Sequence, residues 1–209
     1  MGGTYRLYGR KNAGSLAPQI VLEEIGAPYE IVWVSKAATE VAALRSINPA
    51  GKVPVLELPD GTVVRESAAI LLHLASAYPG AAVAPESGTS AHARFLEAVV
   101  SLSANMYETL LRYFYSDRYS AAGAAAGAQI KAQALEDWNV QLERIAGTLS
   151  PYVLGEQYSA ADPYLYMLAG WYPDEPGASA AKLPQLRRHA ELVRGRRATR
   201  KADEDHRES

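Results

Sequence analysis

The sequence predicts an α/β domain followed by an all-α domain. Two observations carry this. From residue 4 to about residue 80, short β-like runs alternate with amphipathic helical runs. From about residue 86 onward, the apolar spacing is helical only. The boundaries this suggests are 1–82 for the first domain, 88–195 for the second and 196–209 for a charged tail.

Each element of the first half has its own local signal. Thr4–Tyr8 alternates like a strand, and Gly9–Gly14 is a polar turn. Ser15 opens a helix as an N-cap residue, with Leu16, Ile20, Val21 and Ile25 at helical spacing. Pro18 sits in its first turn, where the missing N–H costs nothing. Gly26 closes it. Tyr29–Val34 is β-rich, and Thr39–Ser46 is a short helix stopped by Asn48-Pro49. Val53–Leu58 is the next strand. Pro59-Asp60-Gly61 is a hairpin turn that sends Thr62–Arg65 back antiparallel. Glu66-Ser67 leads into a helix over Ala68–Tyr78, ended by Pro79-Gly80. The order βαβαββα, one parallel βαβ unit and one ββα unit, is a thioredoxin-like arrangement.

Pro85–Gly88 reads as a linker. The second half predicts one long helix from His92 to about Tyr119, a small-residue loop over Ser120–Gly127, and a second long helix over Gln129–Leu149. Shorter helices follow over Ser159–Trp171 and Leu183–Val193. Ser159-Ala160-Ala161-Asp162 has the form of a capping box, with Asp162 in a structural role. After Arg194, charges mix without apolar periodicity, which predicts a frayed or disordered tail.

Composition narrows the chemistry. The chain has 209 residues, with 21 Lys plus Arg against 23 Asp plus Glu, a net charge of −2. That gives no basic excess for a nucleic-acid partner. The apolar runs are too short to span a bilayer. Met1-Gly2-Gly3-Thr4 lacks a basic and apolar signal region, so the expected location is cytoplasmic. There is no cysteine. Disulfides, Cys-ligated metal and a Cys nucleophile are excluded, so any thiol used must come with a ligand. The four His (His73, His92, His189, His206) lack metal-ligand spacing, which argues against a metal site.

Three features mark a binding site on the first domain. Lys52-Val53-Pro54 opens the third strand, and a cis Val53–Pro54 bond there would free the Val53 N–H and C=O for a peptide-like ligand. Ser67 offers a hydroxyl and an N–H at a helix N-terminus, suited to a carboxylate. Glu66 beside it can accept from an ammonium group, so the pair suits an amino-acid zwitterion. Ser15 stands at the other helix N-terminus, where a thiolate would be stabilised.

Four stretches carry a resemblance. They are Ser15-Leu16-Ala17-Pro18-Gln19-Ile20, Asn48-Pro49-Ala50-Gly51-Lys52-Val53-Pro54, Glu66-Ser67-Ala68-Ala69-Ile70 and Leu154-Gly155-Glu156-Gln157-Tyr158-Ser159-Ala160-Ala161-Asp162. In this order, with an α/β half before an all-α half, the chain resembles the soluble glutathione S-transferase family over residues 4 to about 195. The first stretch looks most like its bacterial beta class. That class's cysteine falls at Gly14 here, which puts mixed-disulfide chemistry out of reach.

The resemblance implies glutathione as co-substrate and no metal. It implies Glu66 and Ser67 on the γ-glutamyl end, Val53 and Pro54 on the cysteinyl backbone, and Lys52 near the glycyl carboxylate. Lys36 falls near a similar basic position. The thiol activator is left between Ser15 and Asn12, because Leu7 occupies the position of the family's tyrosine and Tyr8 faces the other way. Asn12 can donate through its amide but carries no hydroxyl. A hydrophobic electrophile would lie between the halves, against Tyr107, Leu111 and Phe114. The likeness also implies a homodimer. Within the family, a transferase leads. A glutathione-dependent dehalogenase, β-etherase or isomerase and a non-catalytic binding or regulatory protein are the alternatives.

Overall fold

A computed structural model describes residues 3–171 and 183–207. They divide into two compact units. One comprises residues up to Glu86 together with those from Arg194 onward, and the other runs from Ser87 to Val193.

The first unit is built on a four-stranded sheet in the order β2-β1-β3-β4. The strands are β1 (Tyr5–Gly9), β2 (Tyr29–Trp33), β3 (Val55–Glu57) and β4 (Val63–Arg65). β1 pairs parallel to β2 and antiparallel to β3, and β3 pairs antiparallel to β4. The alternation of β1 is visible in its burial, with Tyr5 and Leu7 inside and Arg6 exposed. The parallel β1–β2 pair needs a crossover, supplied by α1 (Leu16–Ile25). Its Ala17, Ile20, Val21 and Leu22 are buried.

Gly26 ends α1 in the left-handed region at φ 64°, and its N–H reaches the Glu23 and Leu22 carbonyls. A side chain would resist that backbone. α2 (Ala38–Arg45) precedes β3, and α3 (Ser67–Ala77) follows β4. The β3–β4 turn is fixed by Asp60, whose carboxylate accepts the Thr62 N–H at 2.8 Å. The thioredoxin-like order expected from the sequence is the one observed.

The second unit is helical. It holds α4 (Ser90–Ser101), a π-helical segment over Leu102–Tyr107, α5 (Glu108–Phe114) and a 3-10 turn over Ser116–Tyr119. α6 (Ala124–Ala146), α7 (Ala161–Ala169) and α8 (Pro184–Arg194) follow. Thr89 caps α4 by accepting the His92 N–H at 3.1 Å. Phe95, Leu102, Leu110, Trp138 and Tyr164 are fully buried in this unit.

Three expectations are corrected. The single helix over 92–119 is interrupted by the π-helical segment. Phe95, Val99, Leu102, Met106 and Leu110 keep helical spacing through it, so apolar periodicity does not betray the change of hydrogen-bond pattern. The loop over 120–127 instead enters α6 at Ala124. Alanine favours helix, and the absence of a side chain at Gly127 lets the helix pass close to Ser116.

The tail is the third correction, because residues Arg197–His206 form a helix, α9. It buries Ala198, Thr199, Ala202 and His206, a stripe made mostly of small residues that carries no strong apolar signal. α9 belongs to the first unit, where the Arg196 guanidinium pairs with Glu24 of α1.

Candidate functional site

The two helix N-termini of the first unit are tied together. The Ser67 hydroxyl at the start of α3 donates to the Gly14 carbonyl just before α1, at 3.3 Å. Ser67 is 3% exposed. Glu66, the residue before it, is exposed and sits at φ 70°. Asn12, also exposed, sits at φ 51°. Left-handed backbone at non-glycine residues is costly and clusters at functional sites. Two of the three such residues described flank this one bond between helix starts.

Val53–Pro54 is a cis peptide, as the sequence led us to expect. Asn48 braces the loop before it. Its side-chain amide donates to the Lys52 carbonyl at 2.7 Å, and its oxygen accepts the Ala50 N–H at 3.2 Å. Gly51, at φ 62°, has an N–H that reaches the Asn48 carbonyl at 2.7 Å. Among the described residues, these bonds leave the Val53 N–H and C=O unpaired. The β3–β4 register sets Val55 against Arg65, so Pro54 leads into β3 where Arg65 leads out of β4 toward Glu66 and Ser67. Lys52 and Lys36 are exposed.

Ser15 is placed otherwise than its sequence role suggested. It makes no side-chain cap bond to α1. It is fully buried, its Oγ accepts the Arg10 N–H at 3.1 Å, and its hydroxyl donates to the Arg10 carbonyl at 3.2 Å. A hydroxyl has one hydrogen to give, and here the loop backbone takes it. Gly9 allows this approach, since a Cβ there would stand 2.8 Å from the Ser15 Oγ. Arg10 in turn donates through Nε to the Val34 carbonyl at 2.9 Å and through its terminal nitrogen to the Ser35 carbonyl at 3.0 Å. Tyr8 packs beside Val34, Leu44 and Val55, and its hydroxyl donates to Glu57 at 3.0 Å.

Three residues expected to meet an electrophile lie in the second unit. Tyr107 is the last residue of the π-helical segment, half-buried, with its ring 5.6 Å from Trp171 and edge-on to Tyr164 at 6.5 Å. Leu111 is half-buried and Phe114 is 51% exposed. Asp162 has the structural role expected. Fully buried, it accepts the Ser159 N–H at 2.7 Å, the Val153 N–H at 2.8 Å and a contact from His189 Nε2 at 3.0 Å.

The sequence reading missed the residues that join α9 to α1 and the loop before it. Lys11 donates to the Asp205 and Arg207 carbonyls, and Gln19 donates to the Asp205 carboxylate at 2.8 Å. A cleft of about 760 Å³ beside them, lined by Tyr29, Trp33, Lys201 and Arg207 among others, shares no residue with the Glu66–Ser67 site. The spacing of Ala198, Ala202 and His206 at i, i+4 and i+8 was the available signal for this helix.

Comparison with known proteins agrees with this architecture. Residues 15–77 match the model of the glutathione S-transferase N-terminal domain, and residues 104–196 match that of the C-terminal domain. The chain belongs to the glutathione S-transferase family. It is 32% identical over 178 residues to the uncharacterized GST-like protein YncG of Escherichia coli K12, covering 80% of this chain and 82% of that one. It is 25% identical to glutathione S-transferase GstA of Escherichia coli O157:H7, covering 79% and 81%.

Two solved structures are similar over nearly the full length. A glutathione transferase homologue from Sulfitobacter with bound glutathione superposes with a TM-score of 0.88 at 28% identity, covering 98% of this chain and 99% of that one. The beta-class glutathione S-transferase of Sphingomonas chungbukensis gives 0.80 at 26%, covering 96% and 98%. Among the described residues, no group of three or more potential ligands could hold a metal ion, and no helix is long and apolar enough to cross a membrane.

Proposed function

We propose that the protein is a glutathione transferase, which activates the glutathione thiol for attack on a hydrophobic electrophile. The observation that carries this is the juncture of the two helix starts. The Ser67–Gly14 bond sits between the left-handed Asn12 and Glu66. Helix N-termini favour anions, and this juncture offers one to the ligand's carboxylate and one to its thiolate. The glutathione bound to the Sulfitobacter homologue supports the same ligand here.

In this reading, Glu66 accepts from the γ-glutamyl ammonium, and the Ser67 N–H donates to the neighbouring carboxylate. The free Val53 N–H and C=O pair with the cysteinyl backbone beside Pro54. Lys52, with Lys36 further out, meets the glycyl carboxylate. The Asn12 amide donates to the thiolate in preference to Ser15, whose hydrogen serves Arg10. A donor to the charged form lowers the thiol pKa. The thiol proton passes to solvent, the thiolate sulfur bonds to the electrophilic carbon, and the leaving group departs with the electron pair of the bond that breaks. Tyr107, Leu111 and Phe114 receive the electrophile.

The engaged Ser15 hydroxyl favours a second reading, a glutathione-binding protein without turnover. Titration calorimetry with glutathione, followed by conjugation of an activated aryl chloride, separates the two. Binding with turnover supports the transferase, binding alone supports the second reading, and no binding overturns both. The proposed partners are glutathione and a second copy of the chain, and the proposed location is cytoplasmic.

A further inference from the structure

α9 closes onto the loop that carries Asn12. The Lys11 ammonium donates to the Asp205 and Arg207 carbonyls at the C-terminal end of α9, where a cation is favoured. It also lies 4.5 Å over the Trp33 ring, and Trp33 meets the buried His206 edge-on at 5.0 Å. One residue earlier, Arg10 holds the Val34 and Ser35 carbonyls at the end of β2. Three residues later, Gly14 holds Ser67. Asn12 therefore keeps its left-handed backbone between two tethered neighbours, and one of those tethers is the far end of the chain.

The helix is itself secured to the body of the unit. Gln19 reaches the Asp205 carboxylate at 2.8 Å and the Tyr29 hydroxyl at 3.0 Å, and Tyr29 donates to Glu23 at 2.6 Å. Arg196 pairs with Glu24 at 2.9 Å at the other end of α9.

We infer that Lys11 is a positioning residue for thiol activation, acting through the clasp that it forms with α9 on the loop bearing Asn12. The inference rests on the proposed donor role of Asn12. Lys11 spends its own donors on α9, so its effect passes through loop geometry and not through contact with the thiol. A strained loop conformation persists only when its surroundings over-determine it. Releasing one tether lets Asn12 relax and misplaces its amide, and catalytic donors tolerate little displacement.

The test compares wild type with Lys11→Met, Lys11→Arg, Arg196→Met and Asn12→Ala. The thiol pKa of bound glutathione is read by thiolate absorbance, and affinity is read separately with S-methylglutathione, which has no ionisable thiol. Lys11→Met is expected to raise the bound thiol pKa by about one unit, cutting the thiolate fraction about tenfold at a pH below both values. S-methylglutathione affinity is expected to change less than about twofold, because the donor to the thiolate is not used by that ligand. Lys11→Arg, which keeps the charge and donors, restores the wild-type pKa.

Arg196→Met loosens the start of α9 and raises the pKa in the same direction, and it serves as the test should Lys11→Met not fold. A shifted Asn12→Ala with Lys11→Met and Arg196→Met titrating like wild type overturns the clasp alone. Equal loss of S-methylglutathione binding makes Lys11 merely structural and also overturns it. A wild type titrating like free glutathione overturns the activation reading and the clasp together.

Discussion

Replacing Ser15 by alanine separates a structural serine from a catalytic one. The side chain is fully buried and makes two hydrogen bonds to one residue, accepting the Arg10 N–H at 3.1 Å and donating to the Arg10 carbonyl at 3.2 Å. Each such bond contributes about 1 kcal/mol net, and leaving the part-buried amide without a partner adds a desolvation cost of the same order. Ser15→Ala should therefore cost about 2–3 kcal/mol. With a urea slope of about 2–3 kcal/mol per molar, the unfolding midpoint falls by roughly 1 M. The slope itself should not change, since the compactness of neither state is altered. In the same variant, any rise in the thiol pKa of bound glutathione should come together with the fall in midpoint, because the two lost bonds brace the loop that carries Asn12. A midpoint that does not move, together with a thiol pKa raised by a unit or more, would refute the argument and return the Ser15 hydroxyl to the thiolate.

Three further outcomes follow from particular contacts. Ser67→Ala should weaken glutathione binding by about 1 kcal/mol, because it removes the bond to Gly14 that joins the two helix starts, and calorimetry showing an unchanged dissociation constant would deny that bond a part in the site. Asp162→Ala should destabilise the second unit by about 3–5 kcal/mol, because it strips the buried Val153 and Ser159 N–H groups of their acceptor and leaves His189 unpaired, and thermal unfolding of the variant reads this directly. His206 is pushed down to about 4, first by burial and then by the charge of Lys11, against a smaller opposing effect of Asp205. The unfolded chain therefore binds the extra proton between about pH 6.5 and 4, so stability is full at neutral pH and falls through that window by on the order of 3 kcal/mol. Urea midpoints across the window should fall less steeply in His206→Leu than in wild type, and parallel curves would deny His206 the effect.

The parts of this fold that were legible in the sequence are those with local causes. Gly26 needed left-handed backbone, and Pro59-Asp60-Gly61 needed a turn that an Asp side chain could brace. Glu66, Ser67 and Pro54 stood out through the family pattern. Where the cause is tertiary, the sequence was silent or misleading. α9 buries alanines, a threonine and a histidine, so its inner face carries little apolar signal, and it is held by Lys11 and Gln19 from nearly two hundred residues away in the chain. Ser15 stands where an N-cap belongs, yet the close approach allowed by Gly9 turns its hydroxyl to Arg10 instead. The π-helical segment keeps the burial spacing of an ordinary helix, so only the backbone reveals it.

The central claim is that the loop carrying Asn12, beside the joined starts of α1 and α3, holds glutathione as a thiolate. The most direct test is an ultraviolet titration of the thiolate with the wild-type protein saturated in glutathione. The account predicts an apparent thiol pKa at least one unit below the usual value of about 8.5, lost in Asn12→Ala. Bound glutathione that titrates at the free-thiol value would contradict it.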